Sequence, residues 1–146
     1  MTGEPLTILL VEDNPDHAEL VIRNMEDAQV ANRIVHLEDG EAALAYLKRQ
    51  GIYADEHSCP MPHLVLLDLR LPKIDGLEVL KAIKTSPSLR SVPVVILTTS
   101  SADRDIAMAY EYYANSYVTK PVDFQQFNKL LHDLGFYWLA WNKRPL

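Results

Sequence analysis

Acidic, hydroxyl and ammonium side chains, which can bind ions or take part in reactions, occur where apolar runs of the sequence end. They are Glu12 and Asp13 after the first run, Asp68 at the end of the third, Thr98 at the end of the fourth, and Lys120 after the fifth. Three carboxylates brought together repel one another, so such a cluster is stable only with a cation among its members. Oxygen ligands with room for water favour Mg²⁺ or Mn²⁺ over zinc. A divalent ion, a lysine and a hydroxyl around a carboxylate would suit phosphoryl transfer, which needs charge neutralisation and positioning for in-line attack.

These residues can meet only if the chain alternates strands and helices, and its hydrophobic pattern does so five times. A continuous apolar run at residues 6–11 predicts a strand covered on both faces, and further strands are predicted at 34–37, 64–68, 92–98 and 116–119. The strand at 34–37 is more polar, which suits a position near the sheet edge. Helical spacing of apolar residues predicts helices over 15–28, 40–49, 75–86, around 106–113, and over 124–134. Strict alternation requires a parallel sheet with helices on both faces, a doubly wound α/β fold of five strands. In such sheets ligands bind beyond the carboxyl ends of the strands, where the polar residues stand.

Length and charge exclude several classes of protein. With 146 residues the chain suits one domain, and 14 basic against 20 acidic residues give a net charge of −6, which disfavours binding to nucleic acid or an anionic membrane. The single cysteine, Cys59, cannot form an internal disulfide. No secretory signal or membrane-length apolar run is visible, so we expect a soluble, cytoplasmic protein. The histidines lack metal-ligand spacing and are expected at the surface or in satisfied positions; they are His17, His36, His57, His63 and His132.

The motifs together resemble the receiver domain of two-component response regulators. The resemblance rests on the polar set above and on the strings ILLVEDNP, LLDLRLPKIDGLEVL and SYVTKPVD, and it covers residues 6–134. It implies a flavodoxin-like (βα)5 domain with strand order 2-1-3-4-5. One receiver domain would then fill residues 1–146, with a core over 6–134 and an aromatic extension over 135–146.

The resemblance also implies roles for individual residues. Asp68 would accept a phosphoryl group from a sensor histidine kinase. The cofactor Mg²⁺, or Mn²⁺, would be held by Glu12, Asp13, Asp68 and the backbone carbonyl of Arg70. Lys120 and the Thr98 hydroxyl would contact the phosphoryl oxygens. Two further implications concern neighbouring positions: a cis peptide at Lys120–Pro121, and a switch pair formed by Thr98 and Tyr117.

The end of the sequence carries two further expectations. The string LGFYWL at residues 134–139 resembles single-domain regulators that partner bacterial phytochromes, which makes a phytochrome the expected kinase. The fifth predicted helix completes the cover of the sheet, so the aromatic residues after it would form an exposed apolar patch. We therefore expect a homodimer that uses this patch, namely Phe136, Tyr137, Trp138 and Trp141. Signalling would proceed by conformational switching and contact with an unknown downstream protein, without conventional enzyme activity.

Two alternative functions use the same residues. An aspartate-nucleophile phosphatase would place a general acid two residues after Asp68, but that position is Arg70, which cannot supply a proton. A pseudo-receiver that only binds proteins would not need the complete acidic set. A nucleotide-binding domain is disfavoured because no glycine-rich loop follows the first strand. The chain also departs from most receivers, because 54 residues separate Asp13 from Asp68 and the surplus falls in the loop at residues 50–62.

Overall fold

A computed structural model describes residues 6–27, 32–98, 108–112, 114, 116–119, 125 and 129. Its strands are β1 (Leu6–Val11), β2 (Asn32–Leu37), β3 (Leu64–Asp68), β4 (Val94–Thr98) and β5 (Ser116–Thr119). Its helices with described bounds are α1 (Pro15–Asp27), α2 (Gly40–Leu47) and α3 (Gly76–Thr85), with a 3₁₀ turn at Gly51–Tyr53. Residues 108–111 are also helical, and most of the two last predicted helices lies outside the described residues.

The strands form one parallel sheet in the order β2-β1-β3-β4-β5. The predicted fold and strand order are therefore confirmed. The order reverses direction at β1 and β3, which lie side by side although α1, β2 and α2 separate them in the chain. A crevice forms at such a switch point, beyond the carboxyl ends of the two strands.

The central strands β1, β3 and β4 are buried on both faces, as their apolar runs predict. All five residues of β3 are buried. Leu9 and Val11 of β1 belong to the core cluster beneath α2 and α3, while Ile8 and Leu10 are fully buried on the alternate positions. Because successive side chains of a strand point to opposite faces, burial of all of them needs helices on both sides. Among the described residues, no helix is both long and apolar enough to cross a membrane.

Two helix ends show how local chemistry adjusts the predicted boundaries. Helix α3 begins one residue later than predicted because Asp75 is its N-cap, with extended backbone and a side chain that accepts a hydrogen bond from Gly76 N. Helix α2 ends at Leu47, two residues early, and Arg49 then adopts a left-handed φ of 56°. Such a residue stops a helix and reverses the chain, which starts the loop before β3.

The loop predicted at residues 50–62 is tied to the domain at several points. The Tyr46 hydroxyl donates to Pro60 O at 2.7 Å, and Arg49 Nη1 donates to Cys59 O at 3.0 Å. From β2, Arg33 Nη2 donates to Ser58 O at 3.2 Å. The rings of Tyr46 and Tyr53 also meet, with centroids 5.4 Å apart. The insertion is thus an ordered part of the domain at the amino ends of the strands.

Candidate functional site

Three carboxylates meet at the carboxyl ends of β1 and β3. One oxygen from each of Glu12, Asp13 and Asp68 lies within 4.8 Å of the other two. The strand register explains this meeting, because Val11 pairs with Leu67 and the next residue on each strand is an acid. Glu12 is fully buried and Asp68 is 5% exposed, whereas Asp13 faces solvent. The cluster therefore has a buried side and an open side.

Backbone N–H groups orient both buried carboxylates in the same way. Asn14 N donates to Glu12 Oε2 at 3.1 Å, and Arg70 N donates to Asp68 Oδ1 at 3.0 Å. In each case the donor lies two residues after the acid, and for Asp68 this is the arrangement by which a short acidic side chain stabilises a turn. Asn14 in turn caps α1, since its Oδ1 accepts from Asp16 N at 2.9 Å. The turns that leave β1 and β3 thus fix the direction of the acidic side chains.

Two histidines flank Glu12, and the sequence did not identify them as neighbours of the site. His36 Nε2 lies 2.8 Å from Glu12 O, and His17 Nδ1 lies 3.9 Å from Glu12 Oε1. His17 is the third residue of α1, and His36 is the last residue but one of β2. The only available signal was that each lies near the end of an element bordering the site.

Close packing holds α3 against the end of β3. A Cβ built on Gly76 would overlap the carbonyl oxygen of Asp68 and would lie 2.6 Å from Leu69 Cα. Gly76 N donates to Leu69 O at 2.9 Å. The absence of a side chain at Gly76 therefore lets the first turn of α3 contact the peptide that carries Asp68, a constraint that sequence reasoning missed.

The remaining predicted residues lie farther along the sheet or outside the described part of the chain. Thr98 is the last residue of β4, which pairs with β3. Its backbone therefore lies at the same carboxyl edge of the sheet as Asp68, but the side chain of Thr98 lies outside the described part of the structure. Tyr117 of β5 is half-buried, and its ring packs edge-on against Tyr110 with centroids 5.6 Å apart. Burial and the neighbouring Tyr117 raise the pKa of Tyr110. Outside the described residues lie Lys120, Pro121, Phe136, Tyr137, Trp138 and Trp141.

The donor set of the cluster fits Mg²⁺ or Mn²⁺. All its side-chain donors are carboxylate oxygens, which hard divalent cations prefer, and no sulfur or imidazole donor belongs to the described cluster. Two of the carboxylates are buried, so a cation between them would offset repulsion that water screens only weakly. Because Asp13 is exposed, the cluster can be reached from solvent on that side.

Comparison with known proteins gives consistent results. The family described as response regulator receiver domain matches residues 8–132. The chain is 46% identical to the probable methanogenesis regulatory protein FilR2 of Methanothrix harundinacea, over 97% of this chain and 89% of that protein. It is 41% identical to the response regulator Rcp1 of Synechocystis, over 94% of this chain and 92% of that protein.

Solved structures of response regulators are also similar to this chain. The Mn²⁺-bound form of Rcp1 has a TM-score of 0.77 and 41% identity, with 92% of this chain and 95% of that chain covered. The phosphorylated cyanobacterial phytochrome response regulator RcpA has a TM-score of 0.79 and 38% identity, with 92% of this chain and 94% of that chain covered.

Proposed function

Since this chain belongs to the response regulator receiver domain family, we propose that its acidic cluster is a phosphorylation site with Asp68 as phosphoacceptor. The observation that carries the proposal is the burial of Asp68 beside Glu12 and Asp13, with carboxylate oxygens within 4.8 Å. An oxygen of Asp68 would attack phosphorus of a phosphohistidine, the P–N bond would break, and the imidazole would leave with the bond electrons. The Arg70 N–H bond to Asp68 Oδ1 orients the nucleophile for this attack.

The cation would be Mg²⁺ or Mn²⁺, held by Glu12, Asp13, Asp68 and the backbone carbonyl of Arg70. When bound, it would neutralise charge on the carboxylates and on the incoming phosphoryl group. Glu12 is suited to the ligand role because its carboxylate is fully buried and fixed by Asn14 N. Rcp1, a relative of 41% identity, has a Mn²⁺-bound form.

A direct phosphorylation experiment tests this function. We expect acetyl phosphate to label the protein in the presence of Mg²⁺ and not in EDTA, with labelling read on a phosphate-retarding gel. Asp68→Asn should abolish the shifted band, whereas Asp16→Asn, which changes an exposed acid of α1, should keep it. A shifted band in Asp68→Asn, or one that persists in EDTA, would refute the assignment. Turnover of a small phosphomonoester would instead support the phosphatase alternative.

Residues within or just after β4 and β5 complete the proposal. We propose that Lys120 and the Thr98 hydroxyl contact the phosphoryl oxygens, and that Thr98 and Tyr117 report phosphorylation to the surface. A cis peptide at Lys120–Pro121 belongs to the same proposal. Beryllofluoride, an inert phosphoryl mimic, should raise the urea midpoint of wild type more than that of Lys120→Ala, because the charge-assisted contact forms only with the mimic present. Equal stabilisation of both proteins would contradict the role of Lys120.

For the partners, we propose a sensor histidine kinase of the phytochrome type and a second copy of this chain. The kinase proposal is supported by similarity to Rcp1 and to RcpA, a phytochrome response regulator. We propose a cytoplasmic location, because that is where the kinase would find ATP. FilR2 is at least as similar in sequence, so the test should compare phytochrome kinases with other sensor kinases of the source organism. Preferential transfer from a kinase of another type would overturn the phytochrome assignment.

The proposed dimer uses the aromatic residues of the tail. It rests on the clustering of large apolar side chains in the sequence, a composition typical of interfaces. The residues concerned are Phe136, Tyr137, Trp138 and Trp141. Light scattering after size exclusion should give a dimer mass for wild type and a smaller mass for Trp138→Ala. A wild-type monomer at tens of micromolar, with and without beryllofluoride, would contradict the proposal.

A further inference from the structure

The hydrogen-bond ladder between β1 and β2 ends at the residue that carries a candidate metal ligand. The last paired residues are Val11 and Leu37, and Glu12 N donates to Leu37 O at 3.0 Å. Beyond Leu37 the chain leaves β1, because Asp39 is already the N-cap of α2. His36 approaches Glu12 instead through its side chain, with Nε2 2.8 Å from Glu12 O. A carbonyl oxygen only accepts hydrogen bonds, so His36 Nε2 carries a proton and donates it.

We infer that His36 is a positioning residue for the metal ligands Glu12 and Asp13. The carbonyl that His36 holds belongs to the peptide joining these two acids, so the imidazole restricts rotation of both at once. Groups that orient metal ligands typically change metal affinity about 10- to 100-fold when removed. The inference rests on the proposed function, because it takes the acidic cluster to be a divalent-cation site.

The surroundings of His36 make its side chain replaceable. The ring is half-buried and borders a surface groove of about 440 Å³ between α1 and the edge strand β2. Pro15, Ala18 and Ile22 form the apolar part of that groove. Because the ring lines an open groove instead of filling the closed core, a change of side chain there removes little packing.

The chain offers a matched control on the same strand. His63 Nδ1 accepts a hydrogen bond from Thr7 N at 3.0 Å. Both histidines thus hold the backbone of β1, but His63 does so at the amino end of the strand and His36 at the carboxyl end, next to the acids. A variant of His63 removes a comparable bond to β1 without touching Glu12.

Manganese binding measures the proposed role. Full-length wild type, His36→Phe, His36→Gln and His63→Phe would be titrated with Mn²⁺ alone, with free Mn²⁺ read by electron paramagnetic resonance and folding followed by urea unfolding. We expect His36→Phe to bind Mn²⁺ about tenfold more weakly than wild type. His36→Gln, whose amide can donate in place of Nε2, should recover an affinity within about twofold of wild type, as should His63→Phe.

Each outcome decides a separate question. Equal Mn²⁺ affinity in His36→Phe and wild type, or equal losses in His36→Phe and His63→Phe, would overturn the positioning role. If His36→Phe does not fold, His36→Asn replaces it, because the shorter amide cannot reach Glu12 O; affinity equal to that of His36→Gln would then overturn the role. Absence of Mn²⁺ binding by wild type itself would instead refute the proposed metal site.

Discussion

The two ends of the parallel sheet are built from opposite kinds of interaction. At the carboxyl ends of β1 and β3, like charges converge, and two of the three carboxylates are buried. At the amino ends, the loop before β3 is held by neutral and cationic donors on backbone carbonyls, with Tyr46 and Arg49 among them. The amino end contributes stability through satisfied hydrogen bonds, whereas the carboxyl end holds close together acidic groups that repel one another.

This difference shows what positions the acids. Glu12 and Asp68 do not hold each other in place, because both are acids; backbone N–H groups and the packing of α3 hold them. Site geometry should therefore depend on the turns after β1 and β3, and much less on the loop at the other end. Changes at the carboxyl end should alter stability and cation binding together, and changes at the amino end should alter stability alone.

The largest expected effect is that of Gly76→Ala at the carboxyl end. The new Cβ would overlap the backbone carbonyl of Asp68, and backbone atoms cannot rotate away as a side chain can. We expect a loss of about 3 kcal/mol in the free energy of unfolding, measured with urea, because overpacking against fixed atoms has costs of that size. Displacement of Asp68 should also weaken Mn²⁺ binding.

Gly51→Ala is the matched control in the insertion. Gly51 has a φ of +58°, and no neighbouring atom lies within 4 Å of a Cβ built on it. Its replacement should therefore cost about 1 kcal/mol through backbone conformation alone, with Mn²⁺ affinity unchanged. Equal stability losses in the two variants, or weaker Mn²⁺ binding in Gly51→Ala, would remove the distinction between the two ends.

Asp68→Asn should have the next largest effect, and of opposite sign. Removing one of three clustered charges relieves repulsion, while the Asn oxygen can still accept from Arg70 N. Without divalent ions we expect the variant to be more stable than wild type by on the order of 1–2 kcal/mol. Urea unfolding in EDTA and again in Mg²⁺ would test this, because Mg²⁺ should stabilise wild type more than the variant. A variant less stable than wild type in EDTA would contradict the account of the charged end.

Sequence patterns predict the charged end well because the acids stand at the ends of strands, and the apolar pattern reveals the strands. The bounds of β1 and β3 match the apolar runs, since continuous burial leaves a continuous signal, and β5 also has its predicted bounds. Glu12 follows β1 and Asp68 ends β3, and the two strands pair, so the topology alone brings these acids together. A prediction of the fold was therefore also a prediction of the acidic cluster.

Individual side-chain contacts escaped prediction for a physical reason. Hydrogen bonds from side chains to backbone carbonyls have no periodic signature, so the hydrophobic pattern does not predict the contact of His36 with Glu12 or that of Tyr46 with Pro60. The tight contact at Gly76 depends on how α3 meets β3, which the hydrophobic pattern does not specify. Likewise, the insertion was identified by length and composition, but its attachment to α2 and β2 was not.

Tyr46→Phe should give a smaller effect, confined to the amino end. The variant keeps the ring but loses the hydroxyl bond to Pro60 O, so we expect a loss of about 1 kcal/mol in urea unfolding. Mn²⁺ affinity should not change. Tyr53→Phe is the control, because the Tyr53 hydroxyl forms no hydrogen bond with any residue that the structure describes. Its loss in unfolding free energy should therefore be smaller than that of Tyr46→Phe. Weaker Mn²⁺ binding in Tyr46→Phe would show that the two ends are coupled.

The smallest expected effect is a pH dependence of that same bond. Burial raises the pKa of Tyr46, and the nearby Cys59 raises it further, while Arg33 and Arg49 act in the opposite direction. The folded protein therefore keeps the Tyr46 proton at pH values where the unfolded chain, with an ordinary pKa of about 10, has lost it. Stability from Tyr46 should be fully present below about pH 10 and should be lost as the pH rises through the folded pKa.

Lys84 also contributes to the pH dependence of stability. Burial lowers its pKa, so its contribution has the opposite sign, but this contribution is the same in wild type and in Tyr46→Phe. The difference in unfolding free energy between these two proteins, measured from pH 8 to 11, should therefore shrink at the alkaline end. A difference that stays constant over this range would show that the Tyr46 hydroxyl does not titrate differently in the folded and unfolded states.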